Sequence, residues 1–372
     1  MIDIPQILKQ YNLRKLTIGV LGGHSALDIC LGAKQHGFRT LAVCKKGREK
    51  TYAHYYRRRE NSGCVDETIV LDEFKDIARP QVIAELQSRN VIFIHNRYFW
   101  VYCNFDDIEG NFAIPIFGTR SMLKLEERHI PKNQYYLLGK AGIRMPKIFA
   151  SAEEIDRLVI VKVNEALRGY ERAFFFAASP KDFAARAKEL VKKGTITKAA
   201  LEKAVIEEYI IGAHINLNFF YSPLSKELEL MGTDMRRQTN LDGLLRLPAD
   251  VQLQVLTHIK PTLVETGHVA VTMKESLLEK AFEIGERFVK ATQEEHPPGI
   301  IGPFALQGAV ASEKGREEFV IFDVSLRIPG SPGIAATPYS TYRHCYPVTY
   351  GNRIGMEIDR ARRAKMLGIV CT

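Results

Sequence analysis

Apolar and polar residues alternate along residues 318–327, with the period of two that is typical of a β-strand. One predicted face carries Phe319, Ile321, Asp323, Ser325 and Arg327, and the other carries Val320, Phe322, Val324 and Leu326. An acid that follows four apolar residues in an interior strand is costly to bury unless a cation meets it. That cation is either a magnesium ion bridging nucleotide phosphates or, alternatively, Arg327 in a buried ion pair.

The first 120 residues have the pattern of a parallel α/β unit, in which short apolar runs alternate with helical spacing. Strands are predicted at residues 16–21, 38–44, 68–71, 91–95 and 113–117, and a helix at residues 75–89. Strands that alternate with helices imply right-handed crossovers and a single parallel sheet.

After Gly118 the pattern changes to that of an α+β region. Strands are predicted at residues 157–163, 172–177, 205–210, 214–221, 226–233, 302–308 and 318–327, and helices at residues 132–140, 180–193, 275–292 and 352–365. We expect three domains: an N-terminal parallel α/β domain (1–120), a second subdomain (121–210) and a C-terminal subdomain (211–372).

Composition is that of an ordinary globular protein, with 46% hydrophobic and 26% charged residues. The apolar stretches are too short to cross a membrane, and six scattered cysteines without metal-ligand spacing favour reduced thiols, so we expect a cytoplasmic protein. The net charge of +9 indicates an anionic partner. A basic segment with interleaved tyrosines at residues 45–59 would suit nucleic acid, but no nucleic-acid module accompanies it, so the phosphate of a small metabolite is favoured.

The turn Gly22-Gly23-His24-Ser25 lies between a predicted strand and a predicted helix, where parallel sheets bind phosphates. His24 and Ser25 are therefore candidate phosphate or substrate ligands; alternatively, Ser25 caps the helix and His24 is structural. The spacing is not GxGxxG, which leaves an NAD-dependent oxidoreductase as a weak alternative.

Three further segments carry candidate ligands. Lys162 ends an apolar run, where its ammonium could contact nucleotide phosphates or simply be exposed. Glu207 and Glu208 end another strand. Beyond it His214, Asn216 and Asn218 alternate with apolar residues, as they would on a ligand-binding face or on a solvated one, and Arg236, Asn240 and Asp242 follow the next strand.

Together these segments resemble the ATP-grasp superfamily and, more narrowly, the archaeal 5-formaminoimidazole-4-carboxamide ribonucleotide (FAICAR) synthetases. The similar stretches include LGGHSALDICLGAKQHGFRTLAVCKKGREKTY, IPIFGTR, AGIRMP, VIVK, IEEYIIG, TNLDGLLRLPA, PPGIIGPFALQG and VIFDVSLRI. The resemblance implies an ATP-grasp fold with a Rossmann-like, pre-ATP-grasp N-terminal domain. It further implies a nucleotide lid in the subdomain 121–210 and metal and substrate strands in the subdomain 211–372. It also implies formylation of 5-aminoimidazole-4-carboxamide ribonucleotide (AICAR) by ATP and formate, through formyl phosphate, in folate-independent IMP biosynthesis.

The resemblance also implies residue roles. Arg327 and Asp323 would be catalytic, and Asp323 and Gln307 would hold Mg²⁺ or Mn²⁺. Substrate would be bound by His24, Ser25, Asn218, Arg236, Asn240 and Asp242, and ATP by Lys162, Arg168, Glu207 and Glu208. A homo-oligomer is expected.

The chain departs from the family pattern at several of these places. Asp323 stands where glutamate is usual, Asn218 stands for a histidine, Tyr136 stands for a lysine, and His95-Asn96-Arg97 replaces His-Gly-Ser. Two alternatives therefore stay open: a paralogue that binds nucleotide or ribotide without turnover, and a ligase for another carboxylate.

Overall fold

The computed structural model describes residues 2–128, 130–163, 174–259, 264–313 and 315–372. The strands are β1 (Thr17–Leu21), β2 (Arg39–Lys45), β3 (Glu67–Leu71), β4 (Val91–Ile94), β5 (Ile116–Phe117), β6 (Ile148–Phe149), β7 (Val159–Lys162), β8 (Phe174–Ala177), β9 (Val205–Glu208), β10 (Ala213–Ser222), β11 (Glu227–Gln238), β12 (Glu265–Ala270), β13 (Gly302–Glu313) and β14 (Arg316–Ser325).

The α-helices are α1 (Ile4–Gln10), α2 (Ala26–Gln35), α3 (Pro80–Ser88), α4 (Arg97–Tyr102), α5 (Phe105–Gly110), α6 (Gln134–Lys140), α7 (Pro180–Lys192), α8 (Lys198–Glu202), α9 (Leu241–Leu244), α10 (Ala249–His258), α11 (Leu278–Glu295), α12 (Tyr339–His344), α13 (Tyr350–Arg363) and α14 (Leu367–Val370). Among the residues described, no helix combines the length and the apolar character that crossing a membrane requires.

In the described part of the chain the strands form three sheets. The first is parallel, in the order β3-β2-β1-β4-β5, which confirms the predicted N-terminal α/β unit. The second is antiparallel, in the order β12-β11-β10-β13-β14, and the third has the order β6-β9-β7-β8. The site described below lies where the first sheet faces the second.

The helix predicted at residues 75–89 is divided in two, because Pro80 begins α3 and a 3₁₀-helix covers Phe74–Ala78 before it. The helix predicted from residue 132 begins at Gln134, where the Asn133 side chain accepts hydrogen bonds from the amides of Tyr135 and Tyr136. The helix predicted at residues 275–292 continues to Glu295.

The predicted division of faces along β14 is wrong. Gln307 pairs with Asp323 and Gly308 pairs with Ile321, so a β-bulge leaves Phe322 unpaired. The extra residue reverses the alternation. Phe319 and Ile321 pack in the same hydrophobic core as Val324 and Leu326, whereas Asp323, Ser325 and Arg327 lie on the opposite side, towards the site.

Residues 348–371 pack on the first sheet, although they follow the second sheet in the chain. Their apolar side chains share one hydrophobic core with α1, β1 and α2. The helices α2 and α13 cross at Gly32 and Gly351, and a Cβ at either position would collide with the backbone of the other helix. The Gly351 amide also donates to Asp28 Oδ2 at 2.9 Å. The division into three domains stays a prediction, and this packing shows that the last helices stabilise the first sheet.

Candidate active site

A cleft lies between the carboxyl ends of the first sheet and one face of the second. It is lined by His24, Arg97, Asn216, Asn218, Arg236, Glu265, His268, Ala305, Gln307, Ser325, Arg327, Pro329, Gly330 and Ser331. Its described lining includes three arginines and a single carboxylate, that of Glu265. The charge therefore favours an anionic ligand.

His24 and Ser25 follow β1 in a turn with positive φ values of 20° and 70°. Ser25 occupies the N-cap position of α2, but its side chain makes no capping hydrogen bond; its Oγ donates to the carbonyl oxygen of Pro329 at 2.8 Å. The loop after β14 therefore closes over this turn, and a Cβ at Gly330 would collide with the His24 ring. The structure brings His24 to the cleft and uses Ser25 to hold the cleft wall.

Two histidines near the arginines are neutral at pH 7. Burial, with Arg327 and Arg97 nearby, lowers the pKa of His24 to about 3. Burial, with Arg327 and Arg120 nearby, lowers the pKa of His95 to about 3. The Arg327 guanidinium contacts Glu126, with Nε 3.6 Å from Oε1, rather than Asp323. The alternative of an Asp323–Arg327 ion pair is therefore wrong.

Asn216 and Asn218 lie on the cleft side of β10 and are buried, so the alternative of a solvated face is wrong for both. Their amide groups donate to Asp234, from Asn216 Nδ2 at 3.0 Å and from Asn218 Nδ2 at 2.6 Å. His268 on β12 contacts Asp234 through Nδ1 and Glu265 through Nε2, the latter at 2.9 Å. Burial opposes a charged ring, but the hydrogen bonds to Asp234 and Glu265 raise the pKa of His268 to about 9. We therefore describe His268 as a cation.

The Gln307–Asp323 pair is held by Arg236. Its Nη2 donates to Gln307 Oε1 and lies 3.8 Å from Asp323 Oδ2, and its Nε lies 3.1 Å from Glu265 Oε2. On its other side Asp323 Oδ1 lies 3.5 Å from Arg128 Nη2. Asp323 therefore connects the cleft to a second polar cluster.

That second cluster surrounds Lys162, which is buried and forms an ion pair with Glu207, so the alternative of an exposed lysine is wrong. Its Nζ also donates to the carbonyl oxygen of Phe322, the bulged residue, at 3.2 Å. Glu207 accepts from the Tyr135 hydroxyl at 2.9 Å, and Arg128 Nε donates to that hydroxyl at 3.1 Å. Burial lowers the pKa of Lys162 although Glu207 opposes the shift.

The residues around Asp323 fit a magnesium site whose remaining ligands would be nucleotide phosphates and water. In the described ranges there is no group of three or more His, Cys, Asp or Glu side chains that could hold a metal by itself. Mg²⁺, however, is usually bound by one or two carboxylates together with phosphates and water. The cross-strand pair supplies one carboxylate and one amide oxygen, and a guanidinium already contacts both. Asp323 and Gln307 would hold the ion, which would neutralise phosphate charge.

Three predicted site residues, Glu208, Asn240 and Asp242, lie outside both the cleft and the Lys162 cluster. Glu208 points to the opposite face of β9, where Arg157 Nη1 donates to its Oε1 at 3.1 Å. Asp242 pairs with Arg237, whose Nη2 lies 2.7 Å from its Oδ2, and Asn240 precedes α9 with φ 61°. Neither belongs to the cleft lining. Arg168 lies outside the described residues.

The sequence reasoning missed several polar residues that the structure places here, namely Arg97, Glu126, Arg128, Tyr135, Asp234 and His268. Arg97 stood in the quoted segment His95-Asn96-Arg97, without a role. His268 lies on β12, which was not predicted because Glu-Thr-Gly-His-Val-Ala has little apolar alternation. Nothing in the sequence marked His268 as a site residue.

Solved structures resemble this fold. An IMP biosynthesis protein PurP from Thermococcus kodakaraensis aligns with a TM-score of 0.71 and 26% identity, over 95% of this chain and 100% of that one. An N5-carboxyaminoimidazole synthetase from Staphylococcus aureus complexed with ADP aligns with a TM-score of 0.60 and 13% identity, over 94% and 79%. The second likeness shows the fold alone.

Similar sequences cover the whole chain. The family described as "Domain of unknown function (DUF1297)" matches residues 182–372, and the one described as "Protein of unknown function (DUF1246)" matches residues 18–149. Curated proteins from Methanopyrus kandleri and Methanocaldococcus jannaschii are 38% and 37% identical, over 100% and 98% of this chain and 99% and 97% of those proteins. Both are named 5-formaminoimidazole-4-carboxamide-1-(beta)-D-ribofuranosyl 5'-monophosphate synthetase.

Fold and site together define an ATP-dependent ligase of the ATP-grasp class, as the sequence predicted. In this chain the cleft and the Lys162 cluster meet at Asp323, which lies near both Arg236 and Arg128. The chain belongs to the family of archaeal FAICAR synthetases, whose curated members it matches from end to end.

Proposed function

We propose that this protein uses ATP to activate formate as formyl phosphate and transfers the formyl group to the 5-amino group of AICAR in IMP biosynthesis. The relatives' names and the cationic cleft support this assignment. The observation that carries it is the position of Asp323, between the Lys162 cluster and the Arg236–Gln307 side of the cleft.

In this proposal Lys162 and Arg128 contact the nucleotide phosphates, and Asp323 and Gln307 hold Mg²⁺ or Mn²⁺. Arg97, Arg236 and Arg327 face the phosphate of AICAR or the phosphoryl group being transferred. Cations placed where negative charge develops lower the barrier of phosphoryl transfer. Phosphorylation gives formate a leaving group, and after the amine attacks the formyl carbon, phosphate leaves and the nitrogen loses a proton.

The compartment and the assembly are also proposals. The six cysteines are all free thiols, which supports the reducing cytoplasm as the place of action. The predicted homo-oligomer stays a prediction.

A coupled assay for ADP tests the function. With AICAR, ATP and Mg²⁺ present, we expect formate to give ADP, phosphate and FAICAR in equal amounts. Acetate, bicarbonate and glycine serve as alternative carboxylates. Turnover with one of these instead of formate would show that the substrate is a different carboxylate. AICAR binding without ADP release would identify a protein that binds the ribotide without turnover.

A further inference from the structure

The Asn218 side chain is fully buried, yet its oxygen has no hydrogen-bond partner among the described residues. Its amide nitrogen donates twice, to Asp234 Oδ1 at 2.6 Å and to the backbone oxygen of Asn216 at 3.3 Å. Both amide hydrogens are therefore used. An unsatisfied buried acceptor is unfavourable and needs an explanation.

Turning the amide over would not relieve this. The Asn218 oxygen would then face a carboxylate and a carbonyl, which are both acceptors, and two donating hydrogens would be lost. Because Asp234 also accepts from Asn216 Nδ2 and His268 Nδ1, it is held as a carboxylate, and these hydrogen bonds keep its pKa low although burial opposes them. The Asn218 amide thus has one favourable orientation.

His268 fixes Asp234 in turn. Its ring lies between Asp234 and Glu265, so that one nitrogen faces each carboxylate, and Ser331 Oγ lies 3.2 Å from Nδ1. Both ring nitrogens have protein partners, so His268 is suited to positioning rather than to contact with a ligand. The three strands β10, β11 and β12 each contribute one member: Asn218, Asp234 and His268.

We propose that Asn218 Oδ1 is a specificity-determining acceptor for an N–H group of the ribotide, and that His268 is the positioning residue that holds it in place through Asp234. This rests on the proposed function, because it assumes that the ribotide occupies this cleft. The acceptor oxygen selects an amine or amide nitrogen and disfavours a carbonyl or carboxylate oxygen at the same place. AICAR carries two such nitrogens, the 5-amino group and the carboxamide.

Binding of three ligands to the full-length protein, measured by calorimetry, tests the proposal. The ligands are AICAR, the analogue without the 5-amino group, and the analogue with a carboxylate instead of the carboxamide. We expect the analogue that lacks the contacting N–H to bind wild-type protein roughly 10- to 100-fold more weakly than AICAR. The analogue that binds more weakly identifies which nitrogen of AICAR donates to Asn218 Oδ1.

Variants separate this contact from other effects of changing the ligand. In Asn218→Leu the acceptor is gone, so AICAR and that analogue should bind within about threefold of each other. Asn216→Leu is the matched control, because it removes only a neutral donor from Asp234 and keeps both the Asn218 oxygen and the charged His268 partner, so discrimination should persist. If Asn218→Leu fails to fold, Asn218→Ala gives the same comparison.

His268 is tested by a conservative pair. His268→Gln keeps an N–H donor that can contact Asp234, whereas His268→Leu does not, so discrimination should survive in the first and fall in the second. The KM for AICAR should rise about tenfold in His268→Leu with the KM for ATP unchanged.

The outcomes are separable. Wild-type protein that binds both analogues as tightly as AICAR would overturn the acceptor role, and discrimination that persists in Asn218→Leu would overturn it as well. Discrimination that survives in His268→Leu would overturn the positioning role. Failure of AICAR to bind at all would instead refute the proposed function.

Discussion

The buried ion pair between Lys162 and Glu207 allows stability and catalysis to be separated by mutation. Lys162→Met removes the cation but leaves the Glu207 carboxylate buried, with the Tyr135 hydroxyl as its described donor. A buried charge that loses its partner costs about 3–5 kcal/mol. We therefore expect the free energy of unfolding to fall by about that amount.

The double variant Lys162→Met/Glu207→Gln removes both charges at once. Because a neutral pair of similar volume is often as stable as a buried ion pair, the free energy of unfolding should return to within about 1 kcal/mol of wild type. FAICAR formation should be absent in both the single and the double variant, since both lack the cation assigned to the nucleotide phosphates. Urea unfolding followed by circular dichroism and the coupled ADP assay measure the two effects independently.

A matched control is Lys147→Met. Lys147 is half-exposed and lies 3.3 Å from Asp156, so its loss should change the free energy of unfolding by no more than about 1 kcal/mol. Two results would refute the reasoning: a Lys162→Met protein as stable as wild type, or a double variant that forms FAICAR at the wild-type rate.

Three further predictions concern Asp323, the contacts of His268 with Asp234 and Glu265, and the crossing of α2 and α13. Asp323→Asn should abolish turnover while circular dichroism and the melting temperature stay close to wild type, because the amide keeps the shape of the side chain but loses the charge facing Arg128 and Arg236; near-normal rates would contradict the assignment. His268 has its pKa raised from 6.5 to about 9, so its contribution to stability should be complete below pH 6.5 and disappear as pH rises through 9; a pH series of melting temperatures should show this decline in wild type and less of it in His268→Gln. Gly351→Ala should lower the free energy of unfolding by about 1–3 kcal/mol or more through overpacking, whereas Gly110→Ala, where a Cβ meets nothing within 4 Å, should be nearly neutral; equal urea midpoints for the two variants would refute the close crossing.

Local patterns predicted the parallel sheet and most strands, because apolar runs and glycine turns are properties of short segments. The β14 faces were wrong because a bulge depends on the partner strand: Phe322 is skipped by β13, and nothing in its own sequence marks this. The strand β12 and the helix α10 were missed because their burial patterns are weak. The sequence of β12 alone did not indicate that it forms hydrogen bonds with β11.

The candidate site shows the same limit. His24 was predicted from its turn after a strand, and Gln307 and Arg327 from the family resemblance; all three line the cleft. Asn240 and Asp242 come from an equally polar segment, but their backbone leaves the sheet at α9, so their side chains lie elsewhere. His268 obtains its charge from Asp234 and Glu265, and contacts of that kind exist only once three strands are paired.

The packing of α13 against α2 has a consequence for synthesis of the protein in the cell. A ribosome completes α2 at Gln35 more than 300 residues before it completes α13, the helix that covers it, at Arg363. During that interval the apolar side of α2 lacks its final partner, and apolar surface exposed in this way favours aggregation of the nascent chain. Folding of the earliest segment is thus finished by one of the latest to be made.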